Sequence, residues 1–289
     1  MQRRDLLKGF VLGGAFIALG RAGIASAARL PADVAARLAA VERRYGGRLG
    51  VAILDTGSGE RVSHRGEERF LMCSTFKLLL VSAILARADR GEEKLDRHIV
   101  YDQAMVLDWA PVTRKHVGPP GMTIEQLCVA AITLSDNTAA NLLLEQVGGP
   151  AAVTRWARDL GDTVTRLDRN EPSLNRPDGD KDTTAPDATL ADMRKLLLGD
   201  VLTQRSRGRL IHWLLACRTG ADSLRAGLPP DWQEGDKTGS GRTANNDIAI
   251  LWPPLRKPLL VTAYYENAHA DVSAREAVLA EVGRIVAAM

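Results

Sequence analysis

Residues 72–85 read MCSTFKLLLVSAIL, an apolar run that predicts a buried helix apart from one residue, Lys77. A lysine is seldom buried without a partner, because desolvation makes its charged form expensive. Ser74 lies three residues before Lys77, and positions i and i+3 share one face of a helix. We therefore expect the ammonium one turn from the hydroxyl, where a lysine with a lowered pKa can activate a serine nucleophile.

The chain around this run is mostly helical in pattern. From about residue 74 to residue 215, apolar residues recur at helical spacing, as in residues 123–134 (TIEQLCVAAITL) and 189–203 (TLADMRKLLLGDVLT). Residues 166–186 break the pattern and are rich in Pro, Asp, Asn and Gly. We predict a surface loop there, long enough to be a functional loop.

Strand-forming segments lie near both chain ends. Residues 48–54 (RLGVAIL) precede the turn-rich DTGSGE and predict a strand that enters a hairpin. Residues 247–254 and 258–266 predict two more strands, with a Pro-Pro turn between them. Ser273 and Glu276 fit a capping box for a closing helix. One face of that helix would hold Val278, Val282, Ile285 and Met289.

The order of these elements predicts an α/β fold. An antiparallel sheet would be built from both chain ends and flanked by helices, with an all-α lobe inserted between them. We expect residues 28–64 and 216–289 to form the α/β lobe and residues 65–215 to form the all-α lobe, including the loop 166–186. A chain of 289 residues is long enough for two packed lobes.

The first 27 residues have the features of an export signal. Arg3 and Arg4 open a basic segment, the apolar run 11–20 follows, and residues 25–27 read Ala-Ser-Ala, an A-x-A cleavage signature. The run is short for a membrane span, and the arginine pair resembles the twin-arginine signal. We predict export to the periplasm or medium with no membrane anchor after cleavage. The alternative is a buried N-terminal helix.

The charge of the chain argues against a polyanionic partner. Four basic residues and one acidic residue in the predicted signal account for the whole formal net charge of +3, so the mature chain is neutral. A basic pI that comes from a cleaved segment is no argument for nucleic-acid binding. We predict no nucleic-acid partner.

Cysteine and histidine usage argues against a metal centre. The three cysteines leave at least one thiol unpaired, no C-x-x-C occurs, and the five histidines are scattered singly. A zinc site needs clustered nitrogen and sulfur ligands. We therefore predict neither a metal nor another cofactor.

Two further motifs accompany Ser74 and Lys77. Ser135-Asp136-Asn137 follows a helical run, and a Lys-Thr-Gly motif stands at 237–239. Ser-x-x-Lys, Ser-Asp-Asn and Lys-Thr-Gly in this order resemble the signature of class A β-lactamases and penicillin-binding proteins. The resemblance implies that Ser74 attacks the lactam carbonyl, that Ser135 passes a proton to the departing nitrogen, and that Asn137 contacts Lys77 and the substrate. For Asp136 we prefer a structural role as a helix cap.

The Lys-Thr-Gly segment is the expected substrate-binding strand. The resemblance implies that Lys237, Thr238 and Ser240 bind the carboxylate of the antibiotic. Gly239 completes this strand. The backbone N–H groups of Ser74 and Ser240 would form the oxyanion hole.

The sequence of the loop 166–186 distinguishes an enzyme that hydrolyses the antibiotic from an enzyme that the antibiotic inhibits. Its sequence RNEPSLN, residues 169–175, resembles the omega-loop motif R-x-E-P-x-L-N of class A β-lactamases. Glu171 could accept a proton from water while the Asn175 amide positions that water. The whole mature chain thus resembles a class A serine β-lactamase with its two-lobe fold, a hydrolase of penicillins and cephalosporins that confers resistance. The resemblance also places Trp109 at the mouth of the cleft.

Several details depart from the family pattern or stay open. The resemblance pairs Arg169 with Asp182, but it offers Cys128 no disulfide partner, because Val81 stands where the partner would be. In the disulfide-tied carbapenemases, the cysteine before the nucleophile pairs with a second one just after Lys-Thr-Gly-Ser/Thr. This chain has Cys73 but Gly241 at the second position, which disfavours that group. The combination is closer to that of the enzymes that hydrolyse oxyimino-cephalosporins. Two arginines, Arg242 and Arg275, are candidates for binding the substrate carboxylate, and either Lys77 or Glu171 could be the acylation base.

Three other functions remain to be separated from a β-lactamase. A D-Ala-D-Ala peptidase would form a long-lived acyl-enzyme and would not need Glu171. A penicillin-sensing receptor would need a membrane span or an effector domain, and an inactive binding protein should lack a motif residue. We identify neither a membrane span nor an effector domain in this sequence, and no motif residue is missing. We expect a monomer whose partners are small β-lactams, of which the preferred one is not indicated.

Overall fold

The computed structural model describes residues 31–289. The predicted export signal, residues 1–27, lies outside the described residues. Among the described residues, no helix is both long enough and apolar enough to cross a membrane. In chain order, the helices and strands are α1 (Val34–Tyr45), β1 (Arg48–Asp55), β2 (Arg61–His64), β3 (Phe70–Leu71), α2 (Phe76–Asp89), β4 (His98–Ile99), β5 (Met122–Thr123), α3 (Ile124–Thr133), α4 (Asn137–Val147), α5 (Pro150–Asp159), β6 (Thr183–Thr184), α6 (Pro186–Leu198), α7 (Gln204–Leu215), β7 (Gln233–Ser240), β8 (Ala244–Trp252), β9 (Leu259–Glu266) and α8 (Val272–Ala287).

One five-stranded antiparallel sheet joins the two ends of the described chain. Its strand order is β2-β1-β9-β8-β7. β1 pairs with β9 in the register Val51 to Ala263, and β7 pairs with β8 in the register Lys237 to Ile248. The predicted α/β fold, with an antiparallel sheet from both chain ends, is confirmed.

Helices cover both faces of this sheet. α1 and α8 pack on one face, where Leu38, Val261 and Val282 belong to one buried cluster. α6 packs against β1 and β9. The larger cluster surrounds α2, which contacts α3, α4, α5 and α7. Residues 76–86 of α2 are all buried, because neighbouring helices cover every face of this apolar segment.

The loop 166–186 is largely as predicted, with short ordered pieces. A single 3-10 turn forms at Ser173–Asn175, and Thr183–Thr184 forms β6, which pairs with β3. This pairing fixes the end of the loop beside the segment that leads into α2. The loop is therefore anchored next to Ser74.

The predicted capping box of the last helix is wrong. Asp271, and not Ser273, caps α8: its side chain accepts a hydrogen bond from the Ala274 backbone N–H at 2.8 Å. Ser273 lies inside the helix, which begins earlier than predicted. An aspartate in extended conformation two residues upstream satisfies the free N–H groups of the first turn.

Candidate active site

Ser74 lies in one turn of 3-10 helix, Cys73–Thr75, just before α2. Cys73 has φ 46°, a left-handed conformation that is uncommon for a residue with a side chain. The strand β7 passes close to this turn: a Cβ on Gly239 would lie 2.7 Å from the Met72 carbonyl oxygen. Glycine is therefore required at 239, and the close approach brings the Lys-Thr-Gly strand beside the serine.

Lys77 is fully buried and makes the hydrogen bonds that a buried ammonium needs. Its Nζ donates to Ser74 Oγ at 2.9 Å, the Ser135 carbonyl at 2.8 Å and Asn137 Oδ1 at 2.7 Å. The same nitrogen is 3.1 Å from Glu171 Oε1. Burial lowers the pKa of Lys77 to about 8, although the Glu171 charge acts in the opposite direction. At neutral pH its proton is thus unusually easy to remove.

The Ser-Asp-Asn segment faces Lys77 from the start of α4. Ser135 has φ 55° and is buried, and its Oγ is 3.2 Å from Lys77 Nζ. Lys237 Nζ donates to the Thr238 carbonyl. Asp136 caps α4 through the Ala139 N–H and also accepts hydrogen bonds from Thr113. The structural role predicted for Asp136 agrees with these contacts.

Glu171 points into the protein and not into solvent. It is 4% exposed, Oε1 accepts a hydrogen bond from Ser74 Oγ at 3.1 Å, and Oε2 accepts one from Asn175 Nδ2 at 2.6 Å. Asn141 holds its backbone from both sides, accepting from the Glu171 N–H and donating to its carbonyl. The carboxylate therefore has a fixed position beside the serine.

The ends of the loop are tied by the predicted ion pair. Arg169 Nε is 2.6 Å from Asp182 Oδ2, and Asp182 is fully buried. Asp182 Oδ1 also accepts the backbone N–H groups of Asp168 and Arg169. Because the Asp182 carboxylate is desolvated, removing one partner of this pair should cost more than breaking an exposed pair.

The Lys-Thr-Gly strand forms one wall of the site. Lys237 is fully buried, and burial lowers its pKa. Thr238 Oγ1 is 2.5 Å from Thr219 Oγ1, a contact that orients both hydroxyls. Ser240 is exposed at the end of β7, which is an edge strand of the sheet.

Most of the predicted residues meet at one cleft of about 560 Å³. Trp109 forms part of its rim: it is 55% exposed, and its indole N–H donates to the Leu134 carbonyl. Lys77, Glu171 and Lys237 lie beneath the surface of this cleft and contact the residues that line it. The lining residues are Ser74, Trp109, Leu134, Ser135, Asn137, Asn175, Arg218, Thr219, Ser223, Thr238, Gly239, Ser240, Asn245, Asn246 and Glu276.

Sequence reasoning missed two asparagines that build the site. Asn141 positions Glu171, and Asn246 Nδ2 donates to the carbonyls of Leu71 and Met72 just before the serine turn. The sequence signal for both was weak, because α4 and β8 each carry other polar residues beside these amides. A buried amide needs hydrogen-bond partners, and here the partners are backbone groups of the site.

The remaining predictions concern thiols, arginines and metals. Cys73, Cys128 and Cys217 are free and buried, so Cys128 has no disulfide, as predicted. Arg242 is exposed and does not line the cleft, while Arg275 is 2% exposed. Within residues 31–289, no cluster of three or more His, Cys, Asp or Glu side chains is arranged to hold a metal ion.

Comparisons with known proteins agree over the whole described chain. The family described as "Beta-lactamase enzyme family" matches residues 33–289. The β-lactamase L2 of Stenotrophomonas maltophilia is 48% identical over 275 residues, 92% of this chain and 90% of that protein. The β-lactamase of Streptomyces albus G is 48% identical over 263 residues, 88% of this chain and 84% of that protein. A solved class A β-lactamase of the last common ancestor of Gram-negative bacteria is 57% identical, with a TM-score of 0.86 over 89% of this chain and 99% of that one.

Proposed function

We propose that Ser74 is the nucleophile of this enzyme and that Glu171 activates the deacylating water. The chain belongs to the β-lactamase family and hydrolyses β-lactams as a class A enzyme. The activity of this family confers β-lactam resistance. The contacts of Ser74, Lys77, Ser135 and Glu171 support a separate role for each of these side chains.

In the acylation step, Ser74 Oγ attacks the lactam carbonyl carbon and the ring C–N bond breaks. Two bases are within hydrogen-bond distance of the hydroxyl: Lys77 Nζ at 2.9 Å and Glu171 Oε1 at 3.1 Å. The leaving nitrogen takes a proton from Ser135 Oγ, which Lys77 can replenish across 3.2 Å. The N–H groups of Ser74 and Ser240 stabilise the negative charge that develops on the carbonyl oxygen.

In the deacylation step, water attacks the ester carbonyl on Ser74. Glu171 takes one proton of that water, the ester C–O bond breaks, and the proton returns to Ser74 Oγ. Asn175 fixes both the carboxylate and the approach of the water. Because Glu171 is held on its backbone by Asn141 and on its side chain by Asn175, little reorganisation is needed at the moment of reaction.

Substrate binding falls to the cleft walls. Lys237, Thr238 and Ser240 provide positive charge and hydroxyl donors for the antibiotic carboxylate. Asn137 bonds Lys77 through its Oδ1, which leaves its amide N–H₂ for a carbonyl of the substrate. Gly239 lets the strand approach Ser74, and Trp109 borders the entrance.

The observation that carries these assignments is the burial of Glu171 within 3.1 Å of Ser74 Oγ. The test is turnover of a chromogenic cephalosporin by the purified mature enzyme, with Ser74→Ala and the loop variant Ser173→Ala as a matched pair. We expect many turnovers from the parent and from Ser173→Ala, and neither hydrolysis nor added drug mass with Ser74→Ala. A single stoichiometric burst from the parent would instead favour a D-Ala-D-Ala peptidase.

We also propose that the protein works outside the cytoplasm as a monomer, without a membrane anchor after processing. The basis is the sequence of residues 1–27, with its Arg3-Arg4 pair. Replacing both arginines with lysines should block export by the twin-arginine route, and unchanged delivery would indicate the general secretory route. We further propose that the chain divides into an α/β lobe (28–64 and 216–289) and an all-α lobe (65–215).

A further inference from the structure

Neither of the two arginines that sequence reasoning offered for the substrate carboxylate lines the cleft. Arg275 is 2% exposed, and its guanidinium donates to Asn245 Oδ1 at 2.7 Å and to the carbonyls of Asn267 and Gly241 at 3.3 Å. Arg242 is exposed and outside the lining of the cleft. Arg275 therefore supports the cleft from behind, and Arg242 faces solvent.

A third arginine, Arg218, lines the cleft. It follows α7, and its backbone N–H donates to the Thr133 carbonyl at 2.9 Å, which fixes its Cα against the end of α3. The side chain is exposed and has no hydrogen bond or ion pair with another residue of the described chain. An arginine held at its backbone but unpaired at its guanidinium is available to a ligand.

The neighbours of Arg218 identify the part of the substrate that it would meet. Thr219, the next residue, bonds Thr238 Oγ1 at 2.5 Å, so Arg218 is adjacent to the hydroxyls assigned to the carboxylate. Among the lining residues, the only other charged side chain is Glu276. A carboxylate near Glu276 is repelled, and a guanidinium on the same cleft offsets that repulsion.

We propose that Arg218 is a specificity-determining residue that binds the carboxylate of the β-lactam. This inference rests on the proposed function of Ser74 and adds the group that selects anionic substrates. The guanidinium offers paired N–H donors to both carboxylate oxygens. In the described chain no hydrogen bond or ion pair joins Arg218 to Ser74, Lys77 or Glu171, so we assign it to binding and not to proton transfer.

The test compares a penicillin with its methyl ester, which lacks the negative charge. We expect Arg218→Gln to lower kcat/KM for the acid about 5- to 10-fold, through KM, and to change kcat/KM for the ester less than about twofold, because the charge-assisted bond exists only with the acid. Arg218→Lys should retain part of the preference. Arg242→Gln, a matched exposed arginine, should leave the acid-to-ester ratio as in the parent.

Two outcomes overturn the inference. One is an unchanged acid-to-ester ratio in Arg218→Gln, and the other is an equal loss in Arg242→Gln. Failure of the inference is distinguishable from failure of the proposed function, because the drug mass added to Ser74 is measured on the same samples. A parent enzyme that is never acylated contradicts the role of Ser74, whereas an acylated Arg218→Gln enzyme with an unchanged ratio contradicts only the role of Arg218.

Discussion

Two buried polar clusters border the loop 166–186, and they handle charge in opposite ways. In the first, the carboxylate of Glu171 faces the ammonium of Lys77 at 3.1 Å. In the second, Asp162 before the loop faces Asp192 on α6, and both carboxyl groups are buried. No described donor bonds either oxygen of Asp192. The nearby Lys195 donates to the Leu160 carbonyl.

The difference shows what a buried cation does for a buried acid. Where Lys77 faces the acid, burial lowers the pKa of the lysine to about 8, so at neutral pH the ammonium gives up its proton more easily than an exposed lysine does. Around Asp192, burial and the Asp162 charge outweigh the opposing charges of Lys195 and Arg158 and raise the pKa of Asp192 to about 9, so this acid keeps its proton. The pair of Glu171 and Lys77 is suited to transferring protons, whereas Asp192 only keeps its proton.

Removing Glu171 should have the largest effect of any change in these clusters. Glu171→Ala leaves Ser74 able to attack but removes the group that activates water, so we expect kcat to fall by about 10³-fold or more. An acyl-enzyme should accumulate and appear in mass spectra as the parent mass plus the drug. The neighbouring Ser173→Ala is the control, and turnover of Glu171→Ala at the parent rate would contradict the assigned role.

Breaking the charge pair of the loop should cost stability next. Asp182→Asn leaves the Arg169 guanidinium without its buried partner, so we expect the free energy of unfolding to fall by about 2 to 4 kcal/mol. Denaturant unfolding measures the loss. Asp178→Asn, which removes an exposed partner of the same arginine, should change it by less than about 1 kcal/mol. Equal losses would mean that burial does not govern the strength of these pairs.

The pH dependence of acylation can decide which base acts in the first cluster. If neutral Lys77 is the base, the acylation rate should rise with pH up to about 8 and then level off, by about tenfold per pH unit well below that value. Glu171 raises the pKa of Lys77, so Glu171→Gln should move the midpoint to lower pH. Stopped-flow acylation measures both profiles, and a flat profile around pH 8 in the parent would exclude Lys77 as the base.

The smallest effect is expected in the second cluster, where it should be stabilising. The raised pKa of Asp192 means that the folded state holds a proton that the unfolded state releases above about pH 4, so this group weakens folding as the pH rises from about 4 to about 9. Asp192→Asn removes that penalty, and we expect Tm at pH 8 to rise by about 2 to 4 °C. The gain should vanish near pH 4, and the exposed Asp200→Asn should give none. A lower Tm at pH 8 would contradict the interpretation that Asp192 is protonated in the folded state.

Local patterns predicted most of the catalytic centre, because each motif carries its own geometry. Ser74 and Lys77 are one turn apart, and Ser135 and Asn137 flank a helix start, so their relation is fixed by short stretches of chain. The contacts of Asn141 with Glu171 and the position of Arg218 in the cleft depend on how helices and loop pack, which spacing does not reveal. The cap of α8 could not be predicted from the sequence, because aspartate and serine are both common helix N-caps and Asp271 lies only two residues before Ser273.

The pairing of β1 with β9 also determines when the protein can become active during its synthesis. Arg48 and Glu266 are 218 residues apart yet bond across adjacent strands. β1 therefore has no partner on the side of β9 until nearly the whole polypeptide has left the ribosome. A chain that stops before β9 would leave β1 with an open, apolar edge that favours aggregation.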